Sequence, residues 1–390
     1  MKAAAVKALE RIRAWWSWPA ARSFRAEVLL PYAVQRALLV VAVTVTASVH
    51  SRWLPRFDRA VPNNPILDNW LRWDALHYLH VASEGYSLMP EARHNGFFPL
   101  FPYVVSVVAD VLPLPWAAVL VSNLFALGAL ELLRRLALEY GDADFARRVV
   151  WVAILFPTSF YLTAGYSEST FLFTGIGAVW AWKTGRWRVA AVFAALTVLA
   201  RPVGAPALTA PFVIGLLLSR ERWKPTLALL GGAAVGMAAL FTIYQVQTGD
   251  PLAFFHATGV QNLRVFWDDN PTPLSWSLLQ DEGVSLNLVR RLLNWGAVAF
   301  AFAVVISLAR RREWELALLC AVVMGIPIGF HYSFVDLTSM SRYVLGAFPL
   351  FLVLGRWVPH DRSSSRYVDL GSQMLQLGLA STFAEGQWLE

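Results

Sequence analysis

An acid, a histidine and an arginine lie close together directly after the first long apolar segment of the chain. Asp74 follows Arg72 and Trp73 and precedes His77. The aromatic residues and His77 recur at spacings of three and four, which predicts a short helix on the membrane surface with Asp74 at the edge of its aromatic face. A carboxylate there can accept the proton of a hydroxyl group in an inverting transfer, with His77 orienting it. The alternative is an interfacial helix whose Asp74 only pairs with an arginine such as Arg72.

Three further charged side chains fall at breaks in apolar sequence. Glu168 follows a serine in a short turn, Arg201 opens a proline-containing break, and Arg342 lies at the start of the last long apolar segment. Charged residues in such surroundings are costly and usually functional. Two guanidinium groups that meet would suit a phosphate, because each binds it through paired hydrogen bonds. The alternative is that Arg201 and Arg342 pair with Glu168 and Asp336.

These residues, with their neighbours, form the predicted site. We expect catalytic roles for Asp74, His77 and Glu168. We expect donor-phosphate or substrate contacts from the following residues: Arg72, Trp73, Phe98, Tyr166, Arg201, His331 and Arg342.

The sequence contains no familiar motif for a metal or a nucleotide. It has no HExxH, EF-hand, P-loop or Rossmann glycine pattern. The adjacent acids Asp268 and Asp269 could hold a cation, but such pairs in polar loops are usually solvated. Cys320 is the only cysteine, so neither a disulfide nor a cysteine metal site can form within one chain. We therefore expect no cofactor and a metal-independent reaction.

The composition is that of a protein embedded in a membrane. Hydrophobic residues make up 57% of the chain and charged residues 15%, against about 25% charged residues in soluble domains. Repeated apolar runs of about 20 residues indicate membrane-spanning helices, which excludes a soluble fold. The net charge of +7 is distributed in short groups between these runs, so it indicates topology and contact with membrane lipid rather than nucleic-acid binding.

The apolar runs predict an all-α polytopic protein with about ten transmembrane helices, or eleven if 99–112 also crosses. The predicted parts are a cytoplasmic amphipathic segment at 1–27, one transmembrane domain at 28–357 and a cytoplasmic tail at 358–390. Within the domain, 50–115 and 247–290 form large outer loops. The candidate spans are 28–49, 116–138, 147–164, 167–183, 188–200, 203–219, 226–246, 292–309, 314–331 and 341–357.

The basic clusters between the spans predict which ends of the helices share a face. Assigning every basic cluster to the cytoplasm requires 99–112 to be a juxtamembrane or re-entrant helix, because counting it as a span breaks the alternation. Both termini are then cytoplasmic in a multi-pass cell-membrane protein. The same assignment gathers Asp74, Glu168, Arg201 and Arg342 on the outer face.

The order of several motifs resembles the PIG-V-like family, which is named for GPI mannosyltransferase II. The matching elements are Arg-Trp-Asp-Ala-x-His-Tyr at 72–78, Gly-Tyr at 85–86, Phe-Phe-Pro-Leu-Phe-Pro at 97–102, Tyr-Ser-Glu-Ser at 166–169, Ala-Arg-Pro-Val-Gly at 200–204, Gly-Asp-Pro-Leu-Ala-Phe at 249–254, Ser-Arg-Tyr at 341–343 and Phe-Pro-Leu at 348–350. The family's Arg-x-x-Gly element departs here in having Pro202 after the arginine. The resemblance extends from about residue 28 to 357.

The resemblance implies a GT-C-type membrane glycosyltransferase with a polyprenyl-phosphate mannose donor and a catalytic Asp in the first outer loop. It makes Asp74 the base and Arg201 and Arg342 the candidates for the donor phosphate. The acceptor would be a glycolipid or a glycan of the envelope. Two other classes stay open at this point: a lipid or sugar transporter or flippase, and a non-catalytic subunit of a glycosyltransferase complex.

Overall fold

The structure is a computed structural model, and it describes residues 23–50, 60–61, 63–89, 92–218, 222–257, 264–265, 286–331, 339–358 and 362–385. Almost all of these residues are helical, which confirms the predicted all-α class. The helices, in chain order, are α1 (Leu30–His50, preceded by a π-helical turn, Arg25–Leu29), α2 (Pro65–Asp68), α3 (Asp74–Glu84), α4 (Leu100–Ala109), α5 (Leu114–Leu138), α6 (Ala143–Leu155), α7 (Glu168–Lys183), α8 (Trp187–Ala200), α9 (Gly204–Leu218), α10 (Trp223–Thr248), α11 (Ala253–Ala257), α12 (Leu286–Arg310), α13 (Trp314–Gly329), α14 (Met340–Gly346), α15 (Pro349–Trp357) and α16 (Arg362–Ala384). Two 3-10 turns lie at Arg93–Gly96 and Ser159–Leu162.

Several helices have the length and composition of membrane spans. Among the described residues, four are both long and apolar enough to cross a bilayer: Arg25–Val49, Leu114–Leu138, Trp223–Thr248 and Leu292–Arg310. Shorter apolar helices lie at Leu100–Ala109, Trp187–Ala200, Gly204–Leu217 and Trp314–Ile328. The protein is therefore a multi-pass membrane protein, and the count of ten spans stays a prediction.

Helix α1 shows how these helices divide their faces between protein and lipid. Leu30, Val34 and Leu38 are exposed at intervals of four, whereas Leu39 and Val43 are buried. This spacing forms one apolar stripe along an α-helix. An exposed apolar stripe on a helix of this length is suited to contact with lipid chains.

Helix α4 lies within 99–112, the stretch for which the sequence allowed either a membrane span or a juxtamembrane helix. It has 10 residues, or about 15 Å at 1.5 Å per residue. The hydrocarbon core of a bilayer is about 30 Å thick. A helix of this length does not cross it, in agreement with the juxtamembrane prediction.

Two predicted spans are broken in the structure. The span predicted at 147–164 ends as a helix at Leu155, and a 3-10 turn follows at Ser159–Leu162. Pro157 explains the break, because a proline disfavours helical backbone in the residue before it. The span predicted at 341–357 is two helices, α14 and α15, which meet just before Pro349.

Much of the segment predicted as a cytoplasmic tail, 358–390, is a helix that packs on the bundle, and its side of the membrane stays a prediction. Arg362–Ala384 is a helix that packs beside α1, with Gln376 accepting a hydrogen bond from Gln35 and Ser381 3.3 Å from Thr46. Its last carbonyl, that of Ala384, lies 3.5 Å from the guanidinium of Arg72. The end of α16 therefore lies at the same end of the bundle as Asp74, not at the opposite end.

The polar residues of α16 complete the backbone of the broken α6. The side chain of Gln376 donates to the carbonyl oxygens of Ile154 (3.1 Å) and Phe156 (2.9 Å), and Ser372 donates to that of Leu155 (2.7 Å). Backbone carbonyls have to be satisfied within the protein at membrane depth. The polar side chains that suggested a tail in the sequence make these hydrogen bonds.

Two short strands pair with each other at the same end of the bundle as Asp74. Arg264–Val265 pairs antiparallel with Phe330–His331, with Arg264 opposite His331. The side chain of His331 lies outside the described residues, as do Asp268, Asp269 and Asp336. Most of the first predicted segment, 1–22, also lies outside them.

Candidate active site

The structure brings together four charged side chains that are far apart in sequence. One oxygen of Glu168, Oε1, accepts hydrogen bonds from Nη1 of Arg201 and Nε of Arg342. Nη1 of Arg342 lies 2.8 Å from Oδ2 of Asp74. The side chains thus form a row, Asp74–Arg342–Glu168–Arg201, which we call the charged row.

The two ends of the charged row differ from its middle in exposure. The side chains of Glu168 and Arg342 are 3% exposed, that of Arg201 is 13% exposed and that of Asp74 is 31% exposed. Oε2 of Glu168 has no hydrogen-bond partner within the described part of the chain. Asp74 is therefore the acid of the row that an incoming molecule reaches most readily.

Tyrosine rings support both arginines. The guanidinium of Arg342 lies 4.5 Å from the ring centre of Tyr166 and 5.7 Å from that of Tyr161, and the guanidinium of Arg201 lies 5.5 Å from the ring centre of Tyr343. Such cation–π contacts fix the plane of a guanidinium. The row is therefore held in place before any ligand binds.

Tyr166 supports the site from inside the protein. Its side chain is fully buried, and its hydroxyl donates to the backbone carbonyl of Arg72 at 3.0 Å. The sequence placed Tyr166 among the substrate contacts. That role stays a prediction, and in the structure the ring and the hydroxyl of Tyr166 contact Arg342 and the backbone before Asp74.

A residue with positive φ precedes each of the two helices that carry Asp74 and Arg342. Trp73 has φ 52° and ψ −115°, and it directly precedes α3 with Asp74 at its start. Ser339 has φ 65° and directly precedes α14 with Arg342. Positive φ is uncommon outside glycine and costs about 1–3 kcal/mol where the residue is held in a sparsely populated region. Strain of this kind clusters at functional sites.

The loop that carries Asp74 docks on the turn before Glu168. The amide of Gly165 donates to the carbonyl of Trp70 at 2.9 Å, and a Cβ at Gly165 would lie 2.6 Å from Leu71. The hydroxyls of Tyr78 and Ser167 lie 2.5 Å apart. Burial raises the pKa of Tyr78 far above its ordinary value, so its hydroxyl stays protonated and does not act as a base.

Close packing at a glycine explains the turn that carries Arg201. The amide of Gly204 donates to the carbonyl of Arg201 at 2.9 Å. A Cβ at Gly204 would lie 2.2 Å from the carbonyl oxygen of Thr197, which no side chain tolerates. The Arg-x-x-Gly spacing thus closes a tight turn in which Pro202 is accommodated.

The helix that carries Arg342 is fixed by a residue that the sequence analysis did not select. Oδ1 of Asn294 on α12 accepts from the amide of Ser341 at 2.9 Å, and Asn294 is 1% exposed. An asparagine within an apolar helix was the signal that could have found it, because buried polar groups in such helices need partners.

Two other predicted contacts lie away from the charged row. Arg72 pairs with Asp68, at 3.1 Å between Nη2 and Oδ2, and its side chain extends toward the end of α16. Phe98 is 4% exposed and packs edge-on against Phe254. Phe97, its neighbour, stacks instead on His77 with ring centres 4.7 Å apart. Both side chains thus have protein partners in this geometry, and their substrate roles stay predictions.

The charged row has two chemical capacities. Its two arginines can stabilise an anion, because guanidinium groups bind phosphate oxygens strongly. Its exposed carboxylate can accept a proton. Among the described residues, no three acidic, histidine or cysteine side chains are grouped so that they could hold a metal ion.

These features define an all-helical multi-pass membrane protein with an arginine–carboxylate site at one end of its bundle. Residues 55–214 match the family model described as mannosyltransferase (PIG-V), which confirms the resemblance that the motifs indicated. The matched region contains Asp74, Glu168 and Arg201.

Curated relatives carry the same description. The chain is 32% identical over 148 residues to the GPI alpha-1,6-mannosyltransferase 2 of Cricetulus griseus, covering 34% of this chain and 29% of that protein. It is 31% identical over 145 residues to the protein of the same name from Rattus norvegicus, covering 33% of this chain and 28% of that protein. The match thus spans less than a third of the length of these relatives.

Solved structures of an archaeal oligosaccharyltransferase are similar at low identity. The Archaeoglobus fulgidus enzyme in complex with Zn and sulfate gives a TM-score of 0.43 at 16% identity, covering 88% of this chain and 53% of that one. The same enzyme, AglB, with an inhibitory peptide and a dolichol-phosphate gives a TM-score of 0.42 at 14% identity, covering 90% and 55%.

Proposed function

We propose that the chain is an inverting membrane glycosyltransferase with a GT-C-like fold. It transfers a sugar, mannose, from a polyprenyl-phosphate donor to a hydroxyl group of a glycolipid or envelope glycan at the outer face of the membrane. The observation that carries the proposal is the contact between Arg342 and the partly exposed Asp74, which places a base beside an anion-binding group. The family match and the names of the relatives support the choice of mannose.

In this proposal the donor phosphate binds at Arg201 and Arg342. Arg342 already holds one oxygen of Asp74, so an incoming phosphate competes with Asp74 for that guanidinium. Binding of the donor would therefore release the carboxylate at the moment when a base is needed. Charge on the departing phosphate is then stabilised by groups that are already oriented.

The transfer step balances with the groups of the charged row alone. Asp74 accepts the proton of the acceptor hydroxyl while the hydroxyl oxygen forms a bond to the anomeric carbon. The bond between that carbon and the phosphate oxygen breaks, and its electron pair leaves with the polyprenyl phosphate. A single displacement of this kind inverts the anomeric configuration.

Glu168 takes a positioning role in this proposal rather than the catalytic role expected from the sequence. Its Oε1 is occupied by Arg201 and Arg342 at once, and its side chain is 3% exposed. Two guanidinium groups close to each other would repel without a carboxylate between them. Glu168 thus keeps both arginines at one phosphate-sized site.

The experiment is a donor-consumption assay on the full chain in liposomes. Polyprenyl-phosphate mannose labelled in the sugar is supplied together with an extract of envelope glycolipids and glycans as acceptors, and transfer of the label from the lipid phosphate to the acceptor is followed with and without a chelator. We expect turnover that the chelator leaves intact. Movement of the lipid across the bilayer without cleavage would favour a transporter, and no consumption at all would favour a non-catalytic subunit. Either result would contradict the proposal, and loss with chelator that Mg²⁺ or Mn²⁺ restores would overturn the metal-independent part.

A further inference from the structure

Helix α3 continues beyond Asp74 with a row of partly exposed side chains on one face. His77, His80 and Glu84 follow Asp74 at spacings of three and four, which places them side by side on a helix. The side chain of His80 is 36% exposed and that of Glu84 is 67% exposed. From Asp74 to Glu84 this face extends about 15 Å. Exposure increases along this face from Asp74 to Glu84.

A second segment adds rings to this face. His77 stacks on Phe97, with ring centres 4.7 Å apart and an interplanar angle of 19°. His80 lies against His94, with ring centres 4.1 Å apart and an angle of 44°. We call His77, Phe97, His80 and His94 the ring platform. Its first ring pair lies one helical turn from Asp74.

The backbone under the ring platform is fixed by buried hydrogen bonds. Asn95 is fully buried, and its amide nitrogen donates to the carbonyls of Ser87 and Met89 at 3.1 Å and 2.9 Å. Tyr244 donates to the carbonyl of Asn95 at 2.8 Å, and Tyr86 donates to that of Phe97 at 2.6 Å. The platform is therefore formed before any ligand arrives.

The chemistry of the ring platform suits a neutral polar ligand. Burial, with His80 and His77 close by, lowers the pKa of His94, so this imidazole is uncharged at neutral pH. A neutral imidazole both donates and accepts hydrogen bonds. Nε2 of His94 is buried in the unliganded structure and has no hydrogen-bond partner among the residues that the structure describes, so a ligand hydroxyl that displaces the packing around it would satisfy this nitrogen. The carboxylates of Asp74 and Glu84 stand at the two ends of the face and would repel a phosphate.

We infer that the ring platform binds the acceptor, and that the acceptor is a neutral glycan. A sugar ring has an apolar face of C–H groups, which fits an aromatic surface, and a rim of hydroxyl groups, which fits imidazole and carboxylate. A sugar that packs against the side of the stacked His77 and Phe97 pair would present a hydroxyl to Asp74. The inference rests on the proposed function, because it requires Asp74 to be the base.

The test is binding of two neutral probes, methyl α-D-mannopyranoside and mannobiose, to the purified full chain. The chain is held in a detergent without a sugar headgroup, and saturation-transfer NMR reports binding. Phe97→Leu keeps an apolar side chain but removes the aromatic face. We expect the dissociation constant of mannobiose to rise roughly tenfold, near the upper limit for one aromatic contact. His80→Leu, which removes hydrogen-bonding capacity at an exposed position, should weaken binding in the same direction.

Phe302→Leu is the matched control, because Phe302 is 60% exposed on α12 and belongs to a helix with the composition of a membrane span. This variant should bind mannobiose as the unaltered chain does. Equal binding by the Phe97→Leu, His80→Leu and unaltered chains would overturn the inference, as would absence of any signal from the unaltered chain. Donor consumption by the unaltered chain is measured separately. If the donor is not consumed but the probe binds through Phe97, the proposed function fails while the platform remains a glycan site.

Discussion

At the scale of residues, Arg342 is the side chain that connects both carboxylates of the site. Its Nε donates to Glu168, its Nη1 lies 2.8 Å from Asp74, and its plane rests on Tyr166. This arrangement uses the fork geometry of a guanidinium, which an ammonium group cannot reproduce. Arg342 therefore controls where the base points and where an anion can bind.

We predict that Arg342→Lys lowers transfer from polyprenyl-phosphate mannose by about 10–100-fold, the range expected when a hydrogen bond to a charged group is lost. The matched control is Arg356→Lys. Arg356 makes a two-pronged pair with Glu313, at 2.8 Å and 2.9 Å, and is 13% exposed. A steady-state transfer assay on both variants, with thermal unfolding to compare their folding, checks the prediction. Equal losses in the two variants would show that Arg342 matters only for stability.

The sequence predicted the members of the charged row better than their roles. Asp74, Glu168, Arg201 and Arg342 stood out because charges are rare in apolar surroundings, and the structure joins them. The sequence did not predict that both arginines share one oxygen of Glu168, because that contact depends on how three helix ends meet. The sequence also did not predict that Phe97 rather than Phe98 contacts His77, since the turn at Arg93–Gly96 decides which of two adjacent rings faces α3.

At the scale of elements, α16 supplies hydrogen bonds to the backbone where α6 ends inside the bundle. In a soluble protein, water could make these hydrogen bonds. The carbonyls of Ile154 and Leu155 accept hydrogen bonds from side chains of α16, and that of Phe156 accepts from both Gln376 and the amide of Ser159. The sequence did not predict that this segment packs on the bundle, because hydropathy measures side chains one segment at a time. Polar residues that bond to another segment look the same in a sequence as residues that face water.

We predict that Gln376→Leu destabilises the protein by about 1–3 kcal/mol, the cost of removing the side-chain donor to the carbonyl of Ile154 and the acceptor of the Gln35 amide. Gln373→Leu on the same helix is the control, because Gln373 is partly exposed and makes a long contact of 3.5 Å with Gln35. That change should stay within about 0.5 kcal/mol. Thermal or denaturant unfolding in the same detergent measures both. Equal stability of the two variants would mean that the bonds from Gln376 contribute nothing net.

At the scale of the whole molecule, the charged row and the basic clusters between the predicted spans occupy opposite ends of the bundle. Arg134, near the end of α5, pairs with Glu131 and lies 3.7 Å from Glu27 before α1, and Arg356 pairs with Glu313. Asp74 lies at the other end of α1, beyond its C-terminus. An end rich in Arg and Lys is expected to face the cytoplasm. We therefore propose that the charged row faces outward.

Cysteine labelling tests this orientation. Cys320 is 1% exposed, so it gives little background. We predict that Ser83→Cys, at an exposed position on α3, reacts with a membrane-impermeant maleimide added to intact cells. Glu139→Cys, exposed just after α5 at the basic end, should react only after the cells are permeabilised. The opposite pattern would place the site in the cytoplasm and rule out an outer-face acceptor.

The central claim is that Asp74 is the base of a sugar transfer, and its most direct test is the transfer rate of Asp74→Asn. The amide keeps the size of the side chain but cannot accept the proton, so we predict a fall of roughly 10²–10⁴. Asp110→Asn, which changes an exposed acid at the end of α4, should transfer mannose at the rate of the unaltered chain. Folded Asp74→Asn protein that still transfers mannose from polyprenyl-phosphate mannose at nearly that rate would contradict the account.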